Sequence, residues 1–167
     1  MNTLQHKRIL VTAGPTYQAI DPVRFIGNRS TGKMGIAIVE SLLQKECRVV
    51  LILGPVSIPI PIHPNLEVIR VESAEEMYEA TMQFFPACDL GIFAAAVADY
   101  TPVLVADKKI KKTEDSFFLE LKKTKDILKE VGHIKKPGQL TIGFALETND
   151  EESNAIKKIQ SKNLDAI

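Results

Sequence analysis

Tryptophan is absent from the chain, and cysteine and histidine are scarce, with two and three residues. Cys47 and Cys88 have no second Cys or His nearby at metal-ligand spacing, which excludes a zinc knuckle or a CxxC redox pair and predicts two reduced, buried thiols. His6, His63 and His133 are scattered, without an HExxH pattern. An excess of one charge sign is also missing: 21 Lys and Arg stand against 21 Asp and Glu. Binders of nucleic acid or anionic membranes carry a field of one sign, so neither partner is expected and any anion site must be local. Long apolar runs are lacking too. Val49–Leu53 and Leu90–Ala98 fall far short of the ~20 residues that cross a bilayer. The start, MNTLQHKRIL, has neither the apolar stretch nor the cleavage site of a signal peptide, which makes a cytoplasmic protein the expectation.

What is present reads as one domain over residues 1–167, with apolar and polar segments alternating regularly. Lys7–Ala13 is a short apolar run that stops at Gly14-Pro15, the pattern of a buried strand entering a turn. Ser30 or Thr31 is positioned to cap a helix over Lys33–Lys45, in which Met34, Ile38 and Leu42 recur at helical spacing. A second strand, Arg48–Leu53, closes at Gly54-Pro55. Pro55, Pro59, Pro61 and Pro64 then force an extended connection to a third strand at Glu67–Val71. Ser73 and Glu76 form a capping box for a helix with Met77, Ala80, Thr81 and Phe84 on one face, ended by Pro86.

A fourth strand spans Leu90–Ala96. Residues 100–123 differ: a basic run, Lys108–Lys112, a polar turn and the alternating FFLELK predict a projecting β-hairpin or flap. Leu140–Leu146 predicts a further buried strand, and Asp150 or Ser153 begins a helix with Ile156 and Ile159 inward. Strands apolar on both faces that alternate with helices give an α/β fold, a doubly wound, Rossmann-like parallel sheet with right-handed crossovers. Ligands of such sheets lie beyond the carboxyl ends of the strands, where Gly14, Asp21–Gly35, Ala94–Tyr100 and Phe144–Asn149 all fall.

Three nucleotide readings compete for this region. GNRSTGKM, Gly27–Met34, nearly matches a P-loop, but Met34 replaces the magnesium-binding hydroxyl and Gly27 lies well downstream of the first strand. TGKMGIA, Thr31–Ala37, is similar to the glycine turn of nicotinamide-dependent dehydrogenases. Yet Tyr17, Tyr78 and Tyr100 lack the Lys four residues on that would lower a catalytic tyrosine's pKa, and GxGxxG is missing. An oxidoreductase using NAD(P) or flavin is thereby disfavoured, while a non-catalytic nucleotide-binding module stays open. What survives is an anion site: Ser30, Thr31, Gly32 and Gly35 at a helix N-terminus, where free N–H groups attract phosphate. A plain capped helix packed on the sheet is the competing interpretation.

The passage GPTYQAIDPVRFIGNRSTGKMG, Gly14–Gly35, resembles the synthetase half of the bacterial bifunctional coenzyme A biosynthesis flavoprotein, the phosphopantothenate–cysteine ligase family. AAAVADY at Ala94–Tyr100, KIKK at Lys109–Lys112, GFALETN at Gly143–Asn149 and KxxxKNLD at Lys158–Asp165 match the family in the same order, over nearly the entire chain. The resemblance implies a ligase that joins 4′-phosphopantothenate to cysteine through an acyl-cytidylate, with CTP as co-substrate and Mg2+ accompanying it. It implies Asn28 and Lys109 as catalytic residues, with Asn28 and Arg24 binding substrate. Nucleotide binding is implied for Gly14, Ser30, Gly32, Ala94, Ala95, Asp99, Lys109, Lys125, Asp126, Phe144, Lys158 and Lys162.

One departure stands out: Thr124-Lys125-Asp126 replaces the Asn-Pro-Asp of bacterial two-domain members, retaining only Asp126. The family's flavin-dependent decarboxylase half has no counterpart before residue 7, which implies a partner domain or protein for that step. Members also continue past the strand that NLDAI begins, which implies a longer C-terminus than Ile167. Phe117, Phe118 and Leu119 are too apolar for a free hairpin and predict a homodimer.

Overall fold

The computed structural model describes residues 4–111, 116–145 and 151–167. In chain order the elements are β1 (Arg8–Ala13), β2 (Tyr17–Ala19), β3 (Phe25–Gly27), α1 (Lys33–Gln44), β4 (Arg48–Leu53), β5 (Leu66–Arg70), α2 (Ala74–Phe84), β6 (Leu90–Phe93), β7 (Tyr100–Pro102), β8 (Leu121–Lys123), α3 (Ile127–Ile134), β9 (Leu140–Gly143) and α4 (Glu151–Ser161). β5, β4, β1, β6 and β9 form a parallel five-stranded sheet in that order. The chain winds outward from β1 through β4 to β5, then returns to β6 and winds the other way. That reversal creates a switch point between β1 and β6. Among the described residues no helix is long and apolar enough to cross a membrane.

The period-2 alternation of β1 divides the core into two layers. Ile9, Val11 and Ala13 pack with Val49, Leu51, Leu53 and the α1 residues Ile36, Val39 and Leu43. Leu10 points to the opposite face, into a cluster with Ile52, Met77, Phe85, Phe93, Ile127 and Val131 that covers α2 and α3. Cys47 and Cys88 are buried and free, and burial pushes the Cys88 thiol up to about 11. Both behave as small apolar side chains.

Helix α1 starts differently from the sequence expectation. Gly32, at φ 74°, occupies the N-cap, and neither Ser30 nor Thr31 caps the helix. Their hydroxyls instead accept from the N–H groups two residues on, Gly32 at 3.3 Å and Lys33 at 3.4 Å. A left-handed entry costs a residue with a Cβ energy and glycine almost none, so the glycine takes the cap and the hydroxyls close local turns. One turn later, Gly35 lets α1 settle on β1: a Cβ there would sit 2.4 Å from the Ala13 Cβ. Gly35→Ala is expected to lower stability by about 1–3 kcal/mol in denaturant titration, exceeding the ~1 kcal/mol that alanine gains in helix propensity. Adding Ala13→Gly should recover part of the loss, because the clash is between those two carbons.

The capping box of α2 holds in modified form. Ser73 Oγ accepts from Glu76 N–H at 3.1 Å, while Glu76 Oε2 accepts from the N–H of Glu72, at 2.7 Å, rather than from that of Ser73. Other expectations need correction. The connection after β1 contains an antiparallel hairpin, β2–β3, and α3 follows the flap. β6 ends at Phe93 rather than Ala96, and β5 spans Leu66–Arg70. Among the described residues the flap forms a ladder at its root, where Tyr100, Thr101 and Pro102 face Lys123, Lys122 and Leu121. Ile156 is exposed rather than inward. β9 ends at Gly143, with Phe144 and Ala145 already outside the strand, while Leu146 and a helix start at Asp150 lie outside the described residues.

Candidate active site

Past the ends of β1 and β6 the two segments stay stitched together. Ala94 N–H donates to the Thr12 carbonyl at 3.0 Å, Ala96 N–H to the Gly14 carbonyl at 2.9 Å and Thr16 N–H to the Ala96 carbonyl at 3.3 Å. Two hydroxyls add to the seam: Thr12 Oγ1 accepts from Ala95 N–H at 3.3 Å, and Thr16 Oγ1 from Ala98 N–H at 2.9 Å. The alanine run is therefore a fixed ledge. Successive residues of that ledge face opposite sides: Ala95 lines a cleft toward α3, and Ala94 lines a hollow at the start of α1.

The cleft holds about 540 Å3. Its floor is Thr12, Phe93, Ala95 and Val97; its walls include Asp99, Tyr100, Lys123, Lys125, Asp126, Phe144 and Lys162. Asp126 is the N-cap of α3, accepting from Lys129 N–H at 3.1 Å, and it pairs with Lys162 Nζ at 2.9 Å. Lys162 lies just beyond α4, so a carboxylate on one helix and an ammonium after another close one side of the cleft. Lys158 stands a turn earlier and is not among the residues that line it. Lys125 pairs with Glu75 of α2 and lies 4.4 Å from the centre of the Tyr78 ring. The Glu75 partner raises the Lys125 pKa. Thr124 donates its hydroxyl to the Ala98 carbonyl at 2.7 Å and its N–H to the Asp99 carbonyl at 2.9 Å. The loop before α3 is thereby tied to the ledge.

The second hollow, about 420 Å3, is lined by Arg29, Ser30, Thr31, Gly32, Lys33, Met34, Gly35 and Ala94. Gly14, at φ 81°, backs onto Gly32. First-turn N–H groups of α1 lack intrahelical acceptors, so this end offers donors and a positive dipole to an anion.

The β2–β3 hairpin and the flap complete the site. Asn28, directly after β3, donates through Nδ2 to the Val97 carbonyl at 2.8 Å, which sets its amide beside the ledge. Arg24 is engaged within the chain: its guanidinium binds Asp21 and donates to the Ile110 carbonyl at 3.2 Å. That guanidinium holds the Asp21 carboxyl far below the usual carboxylate range, against the opposing effect of burial. Lys109 is exposed on the flap and pairs with no described residue. Sequence reasoning passed over Thr12, and it named Thr16, Asp21 and Thr124 only as members of motifs, without a role. A threonine inside the otherwise apolar ILVTA, Ile9–Ala13, was the available signal for Thr12.

The chain matches the family described as DFP, DNA/pantothenate metabolism flavoprotein C-terminal domain, over residues 4–167. The coenzyme A biosynthesis bifunctional protein CoaBC of Bacillus subtilis (strain 168) is 52% identical over 164 residues, 98% of this chain and 40% of that protein. A protein from an unknown prokaryotic organism named cysteine/cysteine sulfinic acid decarboxylase is 48% identical over 164 residues, 98% of this chain and 45% of that one. The chain thus spans less than half the length of these curated relatives. The crystal structure of the C-terminal domain of CoaBC superposes with a TM-score of 0.85 at 44% identity, covering 99% of this chain and 79% of that chain. A Cab2 mutant solved in complex with phosphopantothenate-cysteine shares the fold, with a TM-score of 0.76 at 16% identity, over 96% of this chain and 71% of its own. Sequence and fold agree along the whole length: the chain belongs to the DNA/pantothenate metabolism flavoprotein C-terminal domain family.

Proposed function

We propose that the chain carries the ligase centre that joins 4′-phosphopantothenate to cysteine, with CTP as the activating nucleotide, in coenzyme A biosynthesis. The observation that carries this reading is the two-sided ledge after β6: Ala95 faces a nucleotide-sized cleft bordered by cations, and Ala94 faces an anion-accepting helix end. The 44% identity to the CoaBC C-terminal domain supports it, as does the phosphopantothenate-cysteine held by the Cab2 mutant on the same fold. The decarboxylase name of one relative belongs to a protein more than twice this chain's length.

In the proposed reaction a carboxylate oxygen of 4′-phosphopantothenate attacks the α-phosphorus of CTP. The bond to pyrophosphate breaks, and an acyl-cytidylate remains. The cysteine amine then attacks the acyl carbon and loses a proton, and the C–O bond breaks to release CMP. Two anions must approach in the first step, so the protein's task is to have donors and cations in place beforehand. Lys109 supplies an ammonium from the flap. Asn28 supplies a neutral amide, with one amide hydrogen and Oδ1 left over from its bond to Val97. Phe144, Asp126, Lys125 and Lys162 border the nucleoside, with Lys158 behind Lys162. The α1 end, with Ser30 and Gly32, faces phosphate. Arg24 acts on substrate only if it leaves Asp21. Among the described residues no three His, Cys, Asp or Glu side chains are placed to hold a metal. Magnesium enters the proposal with the nucleotide phosphates, whose bridging oxygens it would neutralise.

The reading extends to a cytoplasmic homodimer that works with a flavin-dependent decarboxylase, fused or separate. Phe118 is 98% exposed and Phe117 is also exposed, a surface too apolar for a monomer to leave in water. Sedimentation at micromolar concentration is expected to give a dimer, and a monomer would contradict this. The function itself is tested by mixing the chain with phosphopantothenate, cysteine, magnesium and each triphosphate in turn. Pyrophosphate release that needs phosphopantothenate and is fastest with CTP is expected. No release with any nucleotide would sink the ligase reading.

A further inference from the structure

Asp21 is only 3% exposed, and a carboxylate so well covered requires donors around it. Its Oδ1 accepts from the backbone N–H groups of Val23 and Arg24, both at 2.9 Å, which shapes the tip of the β2–β3 hairpin. Its Oδ2 accepts from the Arg24 guanidinium and from the backbone N–H of Ile110 at 3.1 Å. Arg24 Nη2 in turn donates to the Ile110 carbonyl. Both backbone polar groups of Ile110 are thus held by one ion pair, as a neighbouring strand would hold them in a ladder. The Ile110 N–H belongs to the planar peptide that links it to Lys109, so fixing that group fixes how the chain leaves Lys109. Ala106 N–H donates to the Ile20 carbonyl at 3.0 Å, and the Arg24 guanidinium lies 5.9 Å from the centre of the Phe117 ring. Outgoing and returning arms of the flap therefore both rest on the hairpin tip, while the other end of the same hairpin carries Asn28.

We propose that the Asp21–Arg24 pair is a positioning clamp, which touches no reacting atom and holds Lys109 in register with Asn28. The inference rests on the ligase reading above. Position matters because an offset of about 1 Å can cost ~10²-fold in rate. The clamp needs a carboxylate rather than an amide. Asparagine has one acceptor oxygen, and its NH2 would oppose either the hairpin N–H groups or the Arg24 and Ile110 donors.

The test measures single-turnover pyrophosphate release by the full chain with CTP, magnesium and phosphopantothenate, cysteine omitted. Asp21→Asn is expected to slow release by about 10- to 10²-fold, with the half-saturating CTP concentration changed less than ~3-fold. If Asp21 acts through Lys109, the double variant with Lys109→Gln should be no more than ~3-fold slower than Lys109→Gln alone. Fully multiplied effects would overturn the clamp, as would release by Asp21→Asn at the parental rate. A second measurement needs no variant: the Ile110 amide of the unmodified chain should exchange hydrogen at least ~10-fold more slowly than a free peptide. Exchange at the free-peptide rate overturns the clamp even if Asp21→Asn fails to fold. Absence of release by the unmodified chain overturns the ligase reading and this inference together, whereas failures confined to Asp21→Asn or Ile110 overturn the clamp alone.

Discussion

Lys109→Gln is expected to slow pyrophosphate release in the absence of cysteine by roughly 10²-fold or more, the scale of losing one preorganised electrostatic contact at a reacting centre. Lys109 is exposed and lies next to Ile110, whose backbone is held by Asp21 and Arg24. In the proposed reaction the flap would thereby supply a cation whose backbone is already fixed when the carboxylate of one substrate meets the phosphates of the other. Glutamine keeps most of the length and loses the charge, so the variant separates electrostatics from shape. Lys108, the exposed neighbour in the same basic run, serves as the control. A solvated surface charge contributes little, and Lys108→Gln should change the rate by less than ~3-fold. Parental release by Lys109→Gln would reduce the basic run to a solvated edge.

Asn28→Ala is expected to act on the second half of the reaction. The amide is anchored to the Val97 carbonyl at 2.8 Å and carries no charge, so it suits the acyl carbonyl better than a triphosphate. Product formation should fall by about 10²- to 10³-fold, measured as phosphopantothenoylcysteine by mass spectrometry. CTP affinity by calorimetric titration should change by less than ~3-fold. Asn28 is exposed, and water will satisfy the vacated Val97 carbonyl, so the fold is expected to tolerate the change. A loss of CTP affinity as large as the loss of product would assign Asn28 to the nucleotide instead.

Part of the sheet was legible because β1 and β4 are apolar runs ended by Gly-Pro, and β1, β4 and α1 stand within a residue or so of where periodicity puts them. Helix α3 was not legible. It has eight residues, ILKEVGHI, with a glycine inside, too short and too weak a pattern to declare itself. The strands β2, YQA, and β3, FIG, have three residues each, too few for a period to show in sequence. Ser30 and Thr31 looked like caps by residue type, but the left-handed start of α1 selected Gly32. Asn28, Gly32, Lys109 and Phe144 stood out within joined motifs, and that recognition needed no geometry. The engagement of Asp21 is different: its partner Ile110 lies 89 residues away in sequence, and no local pattern encodes that meeting. The same holds for the hydroxyl tethers of Thr12 and Thr16, which reach 83 and 82 residues along the chain. Lys125 was implied as a nucleotide-binding residue by resemblance alone, and no local pattern encodes its pairing with Glu75 or its contact with Tyr78.

The central claim, activation of a carboxylate as an acyl-cytidylate, is tested most directly by isotope transfer. Phosphopantothenate labelled with 18O in its carboxylate is turned over with CTP, magnesium and cysteine, and the products are weighed. An oxygen of the carboxylate bonds to the α-phosphorus in the first step and leaves with it in the second, so CMP should carry one 18O and pyrophosphate none. Unlabelled CMP, or label recovered in inorganic phosphate beside CDP, would contradict the account.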